Sequence, residues 1–307
     1  MNCLVLGGAG FIGSHAVEAL LAAGHQVRIL ERPACSLVNI AAVRDRVEVF
    51  FGDFTVRREL TAALSGIDLV LHMAGTVLPA SSNLDPLFDI QSNLMGTVTL
   101  LEEAVRNGVK KVVFASSGGT VYGVAGSLPL VEEAPTEPLS SYGIVKLATE
   151  KYLKLFQHLY GLDYTILRIA NPYGERQRID GAQGAVAVFL GRLKRRQAIE
   201  IWGDGEIARD YLYISDLSAA ILKACEKNIS KGLFNIGGGR PWTLNEVLAE
   251  LEIVSGRRAE VIYKPSRACD TPLNWLDCTR ARQELDWEAQ VDFREGLRRT
   301  WEWVSRQ

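Results

Sequence analysis

The segment Cys3-Leu4-Val5-Leu6-Gly7-Gly8-Ala9-Gly10-Phe11-Ile12-Gly13-Ser14 passes from an apolar strand pattern, through regularly spaced glycines, into a helical pattern. Gly7, Gly10 and Gly13 stand at i, i+3 and i+6. Glycine is needed where a chain turns with positive φ and where backbone must approach a bulky anion closely. The helix expected over Ser14–Ala23 adds free N–H groups and a positive dipole end at the same place. Between a strand and a helix, this spacing reads as a pyrophosphate cradle; a plain strand–helix turn is the alternative.

Working outward, the next apolar run, Val27–Leu30, ends at Glu31, eighteen positions after Gly13. A carboxylate there accepts hydrogen bonds from both hydroxyls of an adenosine ribose and repels a 2′-phosphate, which favours NAD over NADP. Arg32 beside it pulls the other way, because a guanidinium could hold that phosphate. Asp53, in Gly52-Asp53-Phe54, is placed either to take the adenine amino group or to close a turn.

Further β-rich runs follow at Val47–Phe51, Leu69–His72, Val112–Ala115 and Tyr164–Ile169. Each is apolar nearly throughout, as a strand covered on both faces should be. Helical patterns at Arg57–Leu64, Leu87–Arg106 and Tyr142–Tyr160 alternate with them. The alternation predicts an α/β fold with a doubly wound parallel (Rossmann) sheet. After Asn171 the segments shorten: Ala185–Arg195, Ile199–Ile201, Asp216–Glu226, Thr243–Val254, Glu260–Tyr263 and a final helix, Phe293–Val304, whose apolar stripe reads as core. We expect a cofactor-binding domain over 1–171 and a smaller α/β substrate domain over 172–307, with some chain crossing back to the sheet.

The 307 residues are 48% hydrophobic and 23% charged, which excludes disorder. A net charge of −2 is too balanced for a coat on nucleic acid or anionic lipid. The five cysteines, Cys3, Cys35, Cys225, Cys269 and Cys278, form no ligand-spaced cluster, so reduced thiols and no metal are expected. No apolar run is long enough to span a membrane, and a soluble cytoplasmic protein is expected.

Tyr142-Gly143-Ile144-Val145-Lys146 places a phenol and an amine on one helical face. A phenol of pKa ~10 is a poor base at neutral pH. A neighbouring ammonium and an oxidised nicotinamide favour the phenolate, which then takes a hydroxyl proton while hydride leaves for the cofactor. Ser116 and Ser117, at the end of a strand upstream, give this pair its context.

The sequence carries, in order, Gly7–Gly13, His72-Met73-Ala74-Gly75, Asn93 with Gly96-Thr97, Ser116–Gly123, Tyr142/Lys146, Asn171-Pro172-Tyr173-Gly174, Gly203-Asp204-Gly205, Arg209-Asp210-Tyr211, Phe234–Gly237, and Arg267 with Asp270. In these it resembles the extended short-chain dehydrogenase/reductase family, and within it the nucleotide-sugar 4-epimerases of the UDP-glucose 4-epimerase type. The resemblance spans essentially the whole chain. It implies bound, recycled NAD held by Gly7, Gly10, Phe11, Ile12, Gly13, Glu31, Arg32, Asp53, Phe54, His72, Met73, Ala74, Gly75, Asn93, Ser116, Tyr142 and Lys146. It implies a UDP-hexose as substrate partner, bound by Ser117, Tyr142, Asn171, Arg209, Arg267, Asp270 and Asn274. Tyr142 would deprotonate the C4 hydroxyl, and the 4-keto sugar would turn over before hydride returns. A homodimer is implied too, through the helices 87–106 and 142–160, with Val98, Leu101, Val105, Leu147 and Leu153 as candidate contacts.

Two departures stand out. The family's usual Ser or Thr, two residues before Thr-Val-Tyr-Gly, is Gly118 here, so Ser117, Thr120 or a water must serve. A gate residue that is tyrosine in some members aligns with Asn274, and its smaller side chain leaves room for an N-acetyl group, extending the expected substrates to UDP-GlcNAc and UDP-GalNAc. A 4,6-dehydratase would need an Asp-Glu pair where Gly118-Gly119 stand. A 4-keto-sugar nucleotide reductase using NAD(P)H is the closer rival, opposed by Glu31. A non-catalytic NAD-binding regulator would have no need of Tyr142 and Lys146.

Overall fold

The computed structural model describes residues 1–124, 126–181, 183–266 and 271–307. Arg267 and Asp270 lie outside the described residues.

Six strands follow the apolar runs: β1 (Asn2–Leu6), β2 (Gln26–Glu31), β3 (Val47–Phe51), β4 (Leu69–His72), β5 (Lys111–Ser117) and β6 (Asp163–Ile169). With β10 (Gly232–Ile236) they form one parallel sheet in the order β10-β6-β5-β4-β1-β2-β3. Chain order reverses at β1, which lies between β2 and β4, and this opens a crevice at the strands' carboxyl ends. Helices Phe11–Ala22 and Ile214–Glu226 bury Val17, Leu20, Leu217 and Ala220 on one face. Arg57–Ala63, Gly96–Arg106 and Ser141–Tyr160 bury Leu60, Leu100, Leu101 and Leu153 on the other.

The region expected as one helix over 87–106 is α-helical at Pro86–Asp89, passes through a π turn at Ile90–Met95, and resumes at Gly96–Arg106. Beyond Asn171, three short strands, β7 (Asn171–Tyr173), β9 (Ala208–Tyr213) and β11 (Pro241–Thr243), join β13 (Leu273–Asn274) around β9. A separate pair consists of β8 (Ile199–Trp202) and β12 (Val261–Lys264). β10 and the helix before it return to the large sheet, and one apolar cluster runs from Cys3 to Val304.

Two dimer candidates need correction. Leu101 and Leu153 are fully buried in the protein's own core, and Val98, Val105 and Leu147 pack against such cores. The exposed apolar positions of these helices include instead Leu87, Phe88, Met95, Ile144, Leu155 and Leu159.

Candidate active site

The glycine turn is built by close backbone approach. Gly7 has φ +78°, and a Cβ on Gly13 would lie 2.0 Å from the Gly7 carbonyl oxygen. Gly10 caps the helix, which starts at Phe11, ahead of the expected Ser14. A Cβ on Gly7 would also come within 3.2 Å of the Ala74 backbone, so the β1 turn and the 72–75 segment after β4 share one wall. Met73 joins that wall by donating its N–H to the Leu6 carbonyl. Phe11 and Ile12 are half-buried and pack against the core.

Glu31 is buried at the end of β2, and its Oε1 accepts the Ala9 N–H at 2.6 Å. The Glu31 carboxylate and the glycine turn are thus one unit. Arg32 points to solvent. Asp53 closes a turn: its Oδ1 accepts the N–H and the hydroxyl of Thr55. Phe54 is buried edge-on to His72. His72 donates or accepts at Thr97 Oγ1, 2.8 Å away, and burial holds its ring neutral, with the pKa down to about 3. Asn93, in the π turn, accepts the Thr76 N–H and donates to Asp89. A cradle that tolerates no Cβ, a helix N-terminus and a buried carboxylate at the end of β2 together fit a dinucleotide.

Ser140 caps the helix Ser141–Tyr160 by accepting the Gly143 N–H, which fixes where Tyr142 leaves the chain. The Tyr142 N–H donates to Ser82 Oγ at 3.0 Å. Lys146 Nζ donates to the Ala115 carbonyl at 2.7 Å and lies 5.5 Å from the centre of the Tyr142 ring. Both side chains line one cavity with His72, Gly75, Asp89 and Asn93. Burial disfavours both charges: it draws the Lys146 amine down to about 8, and with help from the Asp89 carboxylate pushes the Tyr142 phenol up to about 12. The expected acidification by the amine is therefore outweighed, and a second cation at the ring is needed to bring the phenol down.

At the carboxyl end of β5, Ser116 and Ser117 diverge. The Ser116 hydroxyl is committed to Glu150 at 2.6 Å, away from the cavity lining. Ser117, at the carboxyl end of β5, is half-buried. The Thr120 hydroxyl is buried without a partner among the described residues. A Cβ on Gly118 would lie 2.5 Å from Leu276 Cδ1. Asn274 is buried and donates to the Gly118 carbonyl at 3.3 Å. Asn171 and Arg209 line an open cleft of about 390 Å³ with Tyr173, Arg192, Trp202 and Tyr211. Asn171 donates to the Asp210 carbonyl, and Asp210 itself accepts the N–H groups of Gly238 and Leu276.

A larger cleft, of about 520 Å³, lies at the other end of the strands. Its guanidiniums are already engaged: Arg28 with Glu48 and the Ala63 carbonyl, Arg46 with the Leu21 carbonyl.

Sequence reading missed Asp89, Glu150 and Arg168. Asp89 stands four before Asn93 and Glu150 four after Lys146, a helical spacing that could have marked both. Arg168 carries no such local signal.

A UDP-glucose 4-epimerase of Mycolicibacterium smegmatis is 37% identical, over 98% of this chain and 97% of that one. A dTDP-4-dehydro-6-deoxyglucose reductase of Escherichia coli is 33% identical, over 96% and 94%. The solved UDP-glucose 4-epimerase of Thermotoga maritima, with UDP-glucose, superposes with a TM-score of 0.95 at 38% identity, over 100% of this chain and 99% of that one. Residues 3–237 match the model of one family throughout, and with the cradle and the Tyr142–Lys146 face in place, the chain belongs to the NAD dependent epimerase/dehydratase family.

Proposed function

We propose that the chain interconverts the C4 epimers of a UDP-hexose, UDP-glucose and UDP-galactose, and also those of UDP-GlcNAc and UDP-GalNAc. NAD, when bound, supplies a hydride acceptor that gives the hydride back, and a positive ring charge. The residues of the glycine turn, with Glu31 and the 72–75 wall, hold it. Tyr142, as phenolate, takes the C4 hydroxyl proton and later returns it, while Lys146 as ammonium steadies that charge. Ser117 or Thr120 donates to the reacting oxygen, since Leu276 fills the space a side chain at 118 would need. Asn171 and Arg209 bind the diphosphate; the roles the resemblance implies for Arg267 and Asp270 fall outside the described residues. In this reading, 1–171 serves the cofactor and 172–307 the nucleotide sugar, in the cytoplasm.

The observation that carries the reading is the Tyr142–Lys146 face opening on the cavity that Gly75 and Asn93 share, in a chain with no carboxylate at 118–119. The N-acetyl substrates rest on Asn274, smaller than a tyrosine and held to the Gly118 carbonyl. The test is a panel of nucleotide sugars incubated with the protein, no cofactor added, and followed by NMR. C4 epimers are expected. Epimerisation of UDP-glucose alone would remove the N-acetyl substrates. No epimer, with NADPH-driven loss of a 4-keto sugar, would favour the reductase instead.

The exposed face of Leu87, Met95, Ile144, Leu155 and Leu159 supports pairing with a second copy of the chain. Light scattering at micromolar concentration should give a dimer mass; a monomer mass would refute it.

A further inference from the structure

Tyr142, Lys146 and Glu150 recur every four residues, so the catalytic helix carries a third ionisable group one turn behind the amine. Glu150 is 1% exposed. Its Oε1 accepts from Ser116 Oγ at 2.6 Å and from Arg168 Nε at 3.0 Å; its Oε2 accepts from Arg168 Nη2 at 2.7 Å. Arg168, on β6, is 3% exposed, donates to the Glu132 carbonyl at 3.1 Å, and lies over the Tyr122 ring. Ser116 and Arg168 are register partners across β5 and β6. Consecutive residues of β5 thus hold consecutive turns of the helix: Ala115 takes Lys146, and Ser116 takes Glu150.

A buried ion pair is a weak source of stability, because apolar residues of the same volume do as well or better. This pair therefore calls for another explanation, and its place beside Lys146 supplies one. We propose that Glu150 and Arg168 are positioning residues for the Tyr142–Lys146 couple: they fix the register of the catalytic helix on β5, and the Glu150 carboxylate, its charge balanced in part by Arg168, keeps the amine protonated. The inference rests on the epimerase reading for its kinetic part only.

The groups facing Lys146 are Tyr142 and Glu150 on its own helix, Asp89 from the Pro86–Asp89 turn, and His72 from β4, with Arg168 of β6 behind Glu150. His72 is neutral near pH 7. Asp89 is tied to Asn93 and Ser141. Burial lowers the amine's pKa, and the Asp89 and Glu150 carboxylates hold it up against that.

The test is the pH midpoint for chemical labelling of the Lys146 amine, read by mass spectrometry with no substrate present. Glu150→Gln keeps the shape and leaves Arg168 unpaired, so the midpoint should fall by roughly one unit. Arg168→Gln leaves the carboxylate uncompensated, so the midpoint should rise. Opposite shifts are what electrostatic positioning demands; general loosening would move both the same way. The double variant removes both charges, so neither is left buried without its partner. It should bring the midpoint back while kcat stays roughly tenfold down at unchanged KM. A midpoint unmoved in whichever single variant folds, or a double variant with wild-type kcat, overturns the proposal. A wild type that epimerises nothing would refute the epimerase reading and leave the labelling result standing.

Discussion

The glycine turn and the loop after β5 solve opposite problems. The turn from Gly7 to Gly13 is made by leaving side chains out: a Cβ at Gly13 would collide with the Gly7 carbonyl a few residues away. The loop from Ser117 to Thr120 is made by bringing side chains in from far along the chain. Leu276 occupies the space beside Gly118, and Asn274 holds the Gly118 carbonyl. The first site is defined by its own residues. The second is defined by a segment more than 150 residues later, so its chemistry is set by packing rather than by local motif.

The largest expected effect separates binding from chemistry. Tyr142→Phe should lower kcat by about 10²–10⁴-fold, the range for losing a general acid–base group. NAD should stay bound, because the turn and Glu31 are untouched. Protein purified with its usual NAD content but turning over at wild-type rates would remove the phenol from the mechanism. Gly13→Ala should do the reverse. Its methyl group meets backbone, which cannot swing aside, so overpacking of about 1–3 kcal/mol should appear as a lower Tm and weaker NAD binding. Unchanged NAD affinity in a calorimetric titration would mean that the turn is not the cradle.

How much of each region could be read in the sequence follows from the same contrast. The strand, turn and helix around Gly7–Gly13 are contiguous, and so are Tyr142 and Lys146 on their helix. Elements of that kind leave a local period. The small sheet around β9 does not: β13 has two residues and β7 and β11 three each, too short for any alternation to show. The π turn at Ile90–Met95 hides within an ordinary helical pattern. Leu101 and Leu153 look like any apolar helix residue, and only the position of the sheet shows that they face inward. The pairing of Arg168 with Glu150 crosses from β6 to the helix Ser141–Tyr160 and has no signature before folding.

A smaller effect tests whether Leu276 shapes the loop. Gly118→Ser would restore a hydroxyl at the position where the resemblance expects one. Its Cβ would press on the end of a flexible leucine, and about 1–3 kcal/mol should be lost. In the Leu276→Ala background the same change should cost clearly less, since the obstructing methyl is gone. Equal costs in both backgrounds, measured by urea unfolding, would show that the two positions do not compete for one space.

The smallest effect at neutral pH sits between the two regions, at His72 on the end of β4. Burial lowers its pKa to about 3, against an ordinary 6.5, so the folded protein holds the ring neutral. Between those values the unfolded chain binds the extra proton. The stability that the neutral ring permits is therefore complete above about pH 6.5 and is lost as pH falls toward 3, at about 1.4 kcal/mol per unit once well below the upper value. His72→Gln can keep a partner for Thr97 and removes the titration. The unfolding free energy of this variant should fall less steeply than that of the wild type between pH 6.5 and 4.5. Parallel slopes would mean that the ring takes its proton without unfolding, and that the wall between the glycine turn and the helix Ser141–Tyr160 is wetter than its burial implies.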